Sequence, residues 1–374
     1  MENIAILIYD ESLLGGVQKV TFYLAELMKQ HHLPIKCVIS LKNEGYMKYE
    51  YSIPIHTIDV DADGKKLYDL IERYELGNII IQVENLKVLY PKMVQIEKAG
   101  CRVIPILHST PYYWIKKYYD VKQYLNSPRF VYQFFKMKFY WKPLHLKLFK
   151  RISCKFGWIC VSHNAKVEMS RILDSSIDEQ LSYIYNPIIS NVSFNETVKN
   201  NTIVYAGRLS IEKRVILMLK MWKELELSFP EWSFIILGDG PQKDDMEKYI
   251  NKHNLKKVTL LGTVNNVEYY FSKSKISVLF SKYEGLPTSL LEAGLNNNAL
   301  VCSDSDGGAV DIVTDGLNGF VIDVNNFDLL IKQMGILMDN NGTVALEMGN
   351  NNKKALKKFS NDEIINSWKL LLGE

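Results

Sequence analysis

The sequence twice repeats an alternation between short apolar runs and longer amphipathic stretches. In its first part the apolar runs are Ile4–Tyr9, Ile35–Ser40, Asn78–Val83, Arg102–Leu107 and Trp158–Ser162. Runs that are apolar on both faces are typical of parallel strands covered by helices, because half-exposed strands alternate instead. The stretches Val17–Lys29 and Leu67–Tyr74 have the periodicity of such covering helices. The pattern therefore predicts βαβ units and a parallel sheet.

A second alternation follows a polar stretch, Ile188–Thr202, which predicts an interdomain linker. Its predicted strands are Thr202–Ala206, Ser233–Leu237, Val258–Gly262, Lys275–Phe280, Leu300–Ser303 and Phe320–Asp323. Its predicted helices are Glu212–Leu227, Pro241–His253 and Asp362–Leu372, and the Asn-rich stretch Asp339–Asn352 is interpreted as loop and helix edge. The fold class is therefore α/β, with two Rossmann-like, doubly wound domains facing a cleft. We expect boundaries at 1–187 and 188–360, and a C-terminal helix at 361–374 whose candidate packing partner is the N-terminal domain.

Composition excludes several classes of protein. The 374 residues carry a formal net charge of +3, which argues against a dedicated nucleic-acid binder. Five cysteines without CxxC spacing argue against a disulfide scaffold or zinc site. The N-terminus, with no basic region before its apolar run, is interpreted as a strand rather than a signal peptide, so we expect a cytoplasmic protein.

The strongest motif runs from Glu284 to Gly294, directly after a predicted strand. Pro287 suits the first turn of a helix, and the N–H groups that follow it would form an anion site at the helix N-terminus. Glu284 lies before this helix and Glu292 on it, a separation on the order of 10 Å at the helical rise. That arrangement suits a long ligand with hydroxyls at both ends and an anionic middle. A helix with a surface carboxylate is the alternative.

Two further loops follow predicted strands of the second half. Arg208 and Lys213 bracket the first, where Arg supplies a fork for phosphate and Lys a point charge. The second, Gly238-Asp239-Gly240-Pro241, has glycines that would let the backbone approach a ligand. Ordinary surface cations and an ordinary glycine-rich turn are the alternatives.

In the first half, Gly15-Gly16 separates the first strand from the first helix, and His108 ends the strand Arg102–Leu107. The loop lacks the GxGxxG spacing of dinucleotide oxidoreductases. A histidine at this position would donate to a sugar hydroxyl or relay a proton, or else is a structural residue.

As an ordered set, these motifs resemble the family 4 glycosyltransferases of the GT-B fold, in their bacterial cell-surface polysaccharide and glycolipid type. The resemblance covers nearly the whole chain and is strongest over Thr202–Asp323. Two departures are Asn296-Asn297-Asn298-Ala299, in place of Gly-x-Pro, and Asp311, in place of Glu.

The resemblance implies a metal-independent, retaining hexosyltransferase that uses a nucleotide-diphosphate sugar, with UDP favoured over GDP. Glu292 would hold the ribose, Arg208 and Lys213 the diphosphate, and Glu284 the donor sugar. His108 would complete the reaction centre. The remaining donor-binding residues it implies are Gly15, Gly16, Gly238, Asp239, Gly240, Gly285, Leu286, Pro287, Thr288 and Ser289.

A basic, aromatic segment between residues 116 and 155 holds eleven Lys and Arg residues and one acid, Asp120. This composition favours docking on an anionic membrane surface, which would bring a lipid-linked or polymeric glycan acceptor to the enzyme. The candidate contact residues are Lys136, Lys138, Trp141, Lys142 and Lys147. A solvated basic helix with a core-facing aromatic stripe is the alternative. We therefore expect a peripheral protein at the inner face of the cell membrane.

Two other functions remain open at this point. One is a degenerate glycosyltransferase that serves as a non-catalytic partner subunit. The other is a sugar-nucleotide epimerase of related fold. The first is disfavoured by the presence of Arg208, Lys213, Glu284 and Glu292, and the second by the segment from Glu284 to Ala293.

Overall fold

A computed structural model describes residues 1–12, 15–42, 49–58, 64–110, 139, 142–173, 175–188, 198–304 and 306–374. The chain divides into two compact units. The first comprises Met1–Ile188 together with Phe359–Glu374, and the second comprises Ile189–Lys358.

The described part of the first unit forms a parallel sheet with the strand order β3-β2-β1-β4-β5-β6-β7. Its strands are β1 (Asn3–Asp10), β2 (Ile35–Lys42), β3 (Ile55–Thr57), β4 (Leu76–Val83), β5 (Arg102–Leu107), β6 (Trp158–Cys160) and β7 (Leu181–Tyr183). Its helices are α1 (Gly16–Gln30), α2 (Lys65–Arg73), α3 (Leu86–Lys98), α4 (Lys142–Phe156) and α5 (His163–Leu173). In the central strand β1, Ile4 and its four successors are fully buried, which explains its unbroken apolar run.

The second unit has a parallel sheet with the strand order β10-β9-β8-β11-β13-β15 and a two-stranded pairing of β12 with β14. Its strands are β8 (Asn200–Ala206), β9 (Ser233–Leu237), β10 (Val258–Gly262), β11 (Ser274–Leu279), β12 (Tyr283–Glu284), β13 (Ala299–Ser303), β14 (Asp306–Gly307) and β15 (Gly319–Ile322). Its helices are α6 (Val215–Leu225), α7 (Lys243–His253), α8 (Val267–Lys273), α9 (Thr288–Leu295), α10 (Ala309–Ile312) and α11 (Phe327–Ala355). The predicted α/β class with two parallel, Rossmann-like sheets is confirmed.

The last helix, α12 (Asn361–Leu372), belongs to the first unit. Ser360 caps it by accepting a hydrogen bond from the N–H of Glu363, at 3.4 Å. Its face with Ile365 and Trp368 is buried, and the guanidinium of Arg102 donates to the carbonyl of Leu371 at 2.9 Å. The chain thus returns to its first unit after completing the second.

Three local predictions were wrong. The helix predicted from Glu212 begins at Val215, because Arg214 adopts a left-handed conformation (φ 51°) that interrupts it. The predicted linker includes the start of β8 at Asn200. The stretch Asp339–Asn352 lies within α11, where only residues 339–342 leave helical geometry and the turns after them are regular.

Buried asparagines connect the loops before β13 and β15 to helix α11. The side-chain amide of Asn352 donates to the carbonyl of Asn298 at 2.8 Å, and its oxygen accepts from the amide of Asn318 at 2.9 Å. Asn318 in turn accepts from the N–H of Thr314 at 2.7 Å. All three asparagines are at most 1 % exposed. Of the Asn296-Asn297-Asn298 run, Asn298 is thus part of the core, whereas Asn296 and Asn297 are half-buried.

We expect Asn352→Ala to lower the free energy of unfolding by about 2–3 kcal/mol, because it leaves buried polar groups of Asn298 and Asn318 without their partner. Urea unfolding followed by circular dichroism measures the loss. Asn351→Ala is the matched control, since its amide donates to the Leu317 carbonyl in an exposed position. Equal losses in the two variants would contradict a structural role for the network.

Candidate functional site

Two loops at the carboxyl ends of β8 and β9 are joined by backbone hydrogen bonds. The N–H of Gly207 donates to the Leu237 carbonyl at 3.0 Å, and the N–H of Leu209 donates to the Asp239 carbonyl at 2.9 Å. Gly238 has φ +125°, and a Cβ there would lie 2.0 Å from the Gly207 carbonyl oxygen. A Cβ on Gly240 would lie 2.4 Å from the Leu209 carbonyl oxygen. These glycines are therefore required for the two loops to pack against each other.

The side chains of these loops lie at the surface. Arg208 is exposed, while its carbonyl accepts a hydrogen bond from the buried hydroxyl of Tyr205 at 2.9 Å. Asp239 is also exposed, and its carboxylate accepts from the N–H of Gly240 at 2.6 Å and pairs with Lys243 at 3.6 Å. A fixed backbone thus presents both groups at the carboxyl edge of the sheet.

Lys213 and Glu284 are brought together by the fold, although 71 residues separate them in the sequence. The ammonium of Lys213 forms an ion pair with Glu284 Oε1, and the two side chains are 22 % and 12 % exposed. A part-buried pair of this kind is shielded from solvent more than an ordinary surface pair. Lys213 stands on a short 3-10 turn, Ile211–Lys213, and Glu284 in β12. Lys213, which is predicted to bind the diphosphate, and Glu284, which is predicted to bind the donor sugar, are therefore neighbours.

Arg214 fixes the loop that carries Lys213, and the sequence analysis did not identify it. Its guanidinium donates to the carbonyls of Phe280 and Ser281 at 3.1 and 3.3 Å. The N–H of Lys282 donates to the carbonyl of Glu212 at 2.7 Å, so the loop is held at the end of β11 from both sides. No local pattern distinguishes a helix-continuing Arg from one that holds a left-handed backbone.

Glu284 is followed by the N-terminus of α9. Pro287 occupies the N-cap rather than the predicted first turn, since the helix begins at Thr288, and no side chain caps the helix. The half-buried Thr288 and Ser289 form the first turn, and the half-buried Glu292 lies one turn further along. The backbone N–H groups of such a first turn favour an anion.

The loop between Glu284 and α9 is paired with the glycine loop before α10. The N–H of Gly308 donates to the carbonyls of Glu284 and Gly285 at 3.1 and 2.9 Å. Gly285, Leu286 and Pro287 are buried. This packing places the α9 N-terminus next to the short pairing of β12 with β14.

His108 lies at the carboxyl end of β5 in the first unit. Its Nε2 forms a short hydrogen bond with Gln82 Oε1, so Nε2 carries the proton. Burial lowers the pKa of His108 to about 3, which keeps the imidazole neutral at physiological pH. Nδ1 is then a hydrogen-bond acceptor. A neutral His108 is therefore better suited to accept a hydrogen bond from a hydroxyl group than to relay a proton through a charged ring.

The Gly15-Gly16 loop is exposed and Gly15 caps helix α1. A Cβ on Gly15 would lie 2.5 Å from Gln18 Oε1. The amide of the buried Gln18 donates to the Asp10 carbonyl at 2.8 Å and to Glu84 Oε1 at 3.1 Å. The loop is therefore linked to acidic residues at the ends of β1 and β4, which the sequence analysis missed although Asp10-Glu11 directly follows an apolar run.

For two carboxyl groups of this region, burial disfavours the ionised form. Burial raises the pKa of Glu11 to about 7, with contributions from the neighbouring Glu84 and Asp10. Burial also raises the pKa of Glu84 to about 7, and Asp10 adds to that increase. Both groups therefore hold protons in the native state at pH values where an unfolded chain has released them.

We expect the free energy of unfolding to fall as pH rises from about 4.5 to about 7, because the native state binds more protons there than the unfolded state. The loss is on the order of 1–3 kcal/mol per carboxyl. Urea titrations at pH 5, 6, 7 and 8 measure it. The double variant Glu11→Gln, Glu84→Gln should flatten the dependence, and an unchanged slope would contradict this account.

The predicted membrane segment lies partly outside the described residues, as do Lys136, Lys138 and Trp141. In helix α4, Lys147 is exposed and Lys142 is half-buried. Phe149 and Ile152 are buried on the opposite side. Helix α4 thus has a cationic outer face and an apolar inner face. Across the described ranges, no helix is long and apolar enough to cross a membrane.

A model of the family described as "Glycosyl transferases group 1" matches residues 190–355. The chain is 27 % identical over 239 residues to an α-1,4-N-acetyl-D-galactosaminyltransferase of Campylobacter jejuni that acts on an undecaprenol-linked glycan, covering 63 % of this chain and 65 % of that protein. It is 30 % identical over 172 residues to the poly(glycerol-phosphate) α-glucosyltransferase of Bacillus subtilis, covering 46 % of this chain and 25 % of that protein. The chain thus spans less than two thirds of these relatives.

Solved structures support the architecture. The chain superimposes on Anabaena HepE in complex with UDP with a TM-score of 0.76, at 16 % identity and with 99 % of each chain covered. At that identity the likeness shows the fold alone, with two Rossmann-like domains in one chain. Residues 190–355 are therefore similar to a glycosyl transferases group 1 domain, within a chain that has the two-domain fold of HepE.

Proposed function

We propose that this protein is a retaining glycosyltransferase that needs no metal ion. It moves a hexose or N-acetylhexosamine from a nucleotide-diphosphate sugar, with UDP as the nucleotide, to a lipid-linked or polymeric glycan. The observation that carries the proposal is the contact between Lys213 and Glu284 beside the N-terminus of α9. The group 1 domain match over residues 190–355 supports it.

Each group of the second unit has a part in this reaction. Lys213, Arg208 and the first turn of α9 would bind the diphosphate and stabilise its charge as it leaves. Glu292 would accept hydrogen bonds from the ribose hydroxyls, and Glu284 from a hydroxyl of the transferred sugar. Because Glu284 also pairs with Lys213, binding of the sugar and of the diphosphate would be coupled.

The first unit would bind the acceptor. His108, neutral and with its Nε2 proton engaged by Gln82, would offer Nδ1 to a hydroxyl. The exposed Gly15-Gly16 loop would allow the backbone to approach a sugar closely. The leaving diphosphate would accept the acceptor proton, as the resemblance to the family implies.

Calorimetric titration of the full chain with a panel of UDP- and GDP-sugars tests the proposal. We expect saturable binding of at least one UDP-sugar and of UDP, with an increase in melting temperature because the ligand binds only the native state. Absence of binding by every nucleotide sugar would overturn the assignment. Tighter binding of GDP-sugars would overturn the choice of nucleotide.

We also propose that the cationic outer face of helix α4 contacts the inner surface of the cell membrane, which is anionic. The exposed side chains that support this are Lys147, Lys150 and Arg151. Lys155, by contrast, is paired with Glu97. Each cation close to anionic lipid contributes about 1 kcal/mol.

The variant Lys147→Gln, Lys150→Gln should bind vesicles of phosphatidylglycerol and phosphatidylcholine about 10- to 30-fold more weakly than the wild type in a sedimentation assay. Lys248→Gln, Lys252→Gln is the matched control, because it removes the same charge from exposed positions of the second unit. Equal weakening in both variants would indicate a general charge effect and contradict docking through α4.

A further inference from the structure

The carboxyl ends of β1 and β4 carry a group of polar residues outside the donor-binding unit. Asp10 and Glu11 are 2 % exposed, as is Gln18, which links Asp10 to Glu84. Gln82 lies two residues before Glu84 and thus on the same side of the strand. Because β4 pairs with β5 up to Val83 and Leu107, Glu84 and His108 stand side by side at this edge.

This group has hydrogen-bonding capacity that the protein does not use. Among the described residues, Oε2 of Glu11, Oε2 of Glu84 and Nε2 of Gln82 are buried and have no hydrogen-bond partner. Gln82 is fully buried, and its other end is held by His108. Buried polar atoms are nearly always paired, so three unpaired atoms at one sheet edge indicate an incoming ligand. Above pH 7, where both carboxyls are ionised, two acceptors and one donor match the hydroxyl groups of a sugar, which both donate and accept.

Aromatic rings adjoin the same group. The Tyr51 hydroxyl donates to Glu11 Oε1. Its ring meets Phe22 edge-on at 5.1 Å, and Tyr49 stacks on Phe22 at 5.1 Å with the planes 16° apart. All three rings are half-buried. The apolar face of an aromatic ring suits the C–H face of a sugar, and the neighbouring carboxylates suit its hydroxyl groups.

Other ligand classes fit less well. Within the described part of the chain, no three His, Cys, Asp or Glu side chains are placed to hold a metal ion. Above pH 7, where Glu11 and Glu84 are ionised, a phosphate would face Asp10, Glu11 and Glu84 together, and like charges at close range cost binding energy.

We propose that Glu84, Gln82 and Glu11, with Tyr49 as a wall, form the subsite for an uncharged terminal sugar ring of the acceptor and exclude a phosphate-bearing one. This inference rests on the proposed function and names its acceptor class. The carboxylates accept hydrogen bonds from ring hydroxyls and the Gln82 amide donates one.

Titrations of the full chain followed by ligand-observed NMR test the subsite without knowledge of the natural acceptor. The probes are the methyl α-glycosides of glucose, galactose, N-acetylglucosamine and N-acetylgalactosamine, and the 6-phosphate of whichever binds best. At pH 8, where Glu11 and Glu84 are ionised, we expect at least one neutral glycoside to bind saturably and its 6-phosphate to bind about tenfold more weakly. Glu84→Gln should weaken binding of the glycoside about fivefold. It should also reduce the ratio between the affinities for the glycoside and for its 6-phosphate, which a merely structural residue would not change.

Tyr49→Ala, at a half-buried position, should weaken the glycoside without changing that discrimination, and keeps the test valid if Glu84→Gln fails to fold. Glu97→Gln, at an exposed ion pair in the same unit, is the control. Absence of glycoside binding, equal binding of the 6-phosphate, or identical behaviour of Glu84→Gln and Glu97→Gln would overturn the subsite. UDP titrated into the same samples tests the proposed function separately, since donor binding depends on the other unit.

Discussion

Lys213→Ala should lower kcat for sugar transfer by about 100- to 1,000-fold, because it removes a preorganised cation from the leaving diphosphate. It also leaves the Glu284 carboxylate, 12 % exposed, without its ion-pair partner. Initial rates with the UDP-sugar selected by calorimetry measure the effect.

Two companion variants separate catalysis from folding. Lys220→Ala removes an exposed lysine from the helix that follows the loop and should leave kcat within about twofold of wild type. The double variant Lys213→Ala, Glu284→Gln should lower kcat by less than the product of the factors for the two single variants, because the two side chains contact each other. A kcat within twofold of wild type for Lys213→Ala would contradict the proposed role.

Glu292→Ala should weaken UDP binding by about 100-fold, since a carboxylate that accepts two ribose hydroxyls contributes about 1.5–3 kcal/mol through charge-assisted hydrogen bonds. Glu292 lies half-buried on α9, and no other residue predicted to bind the nucleotide sugar would replace it there. Calorimetry with UDP and with inorganic diphosphate measures the effect.

The comparison between the two ligands isolates the ribose contact. Glu292→Ala should leave diphosphate binding unchanged, because the diphosphate would contact Lys213 and the α9 N-terminus instead. Glu347→Ala, on the exposed side of α11, serves as the control. Equal losses for UDP and diphosphate would show that Glu292 acts through the helix rather than through the ribose.

The sequence predicts the strands well because burial on both faces gives them a pattern of their own. Arg102–Leu107, Ser233–Leu237 and Val258–Gly262 begin and end where the apolar runs do. Strand ends are where ligands bind in such sheets, so the loops at Gly207, Gly238 and Glu284 were identified with them.

Features that depend on contacts distant in the sequence were not predictable in this way. Arg214 reads as a helix residue until its contact with the end of β11 is seen. Asn352 reads as part of a polar loop until its pairing with Asn298 is seen. Glu84 reads as a surface acid at a strand end until Gln18 and Asp10 are placed beside it. In each case the partner is supplied by the tertiary fold.

The most direct test of the account is the product of turnover, observed by proton NMR as the full chain consumes the UDP-sugar that it binds. Water serves as the acceptor if no glycan is added. A retaining enzyme should cleave the α-linked donor and release the α-anomer of the sugar first, before mutarotation. Release of the β-anomer would contradict retention, and the absence of turnover for every UDP- and GDP-sugar that binds would contradict glycosyl transfer itself.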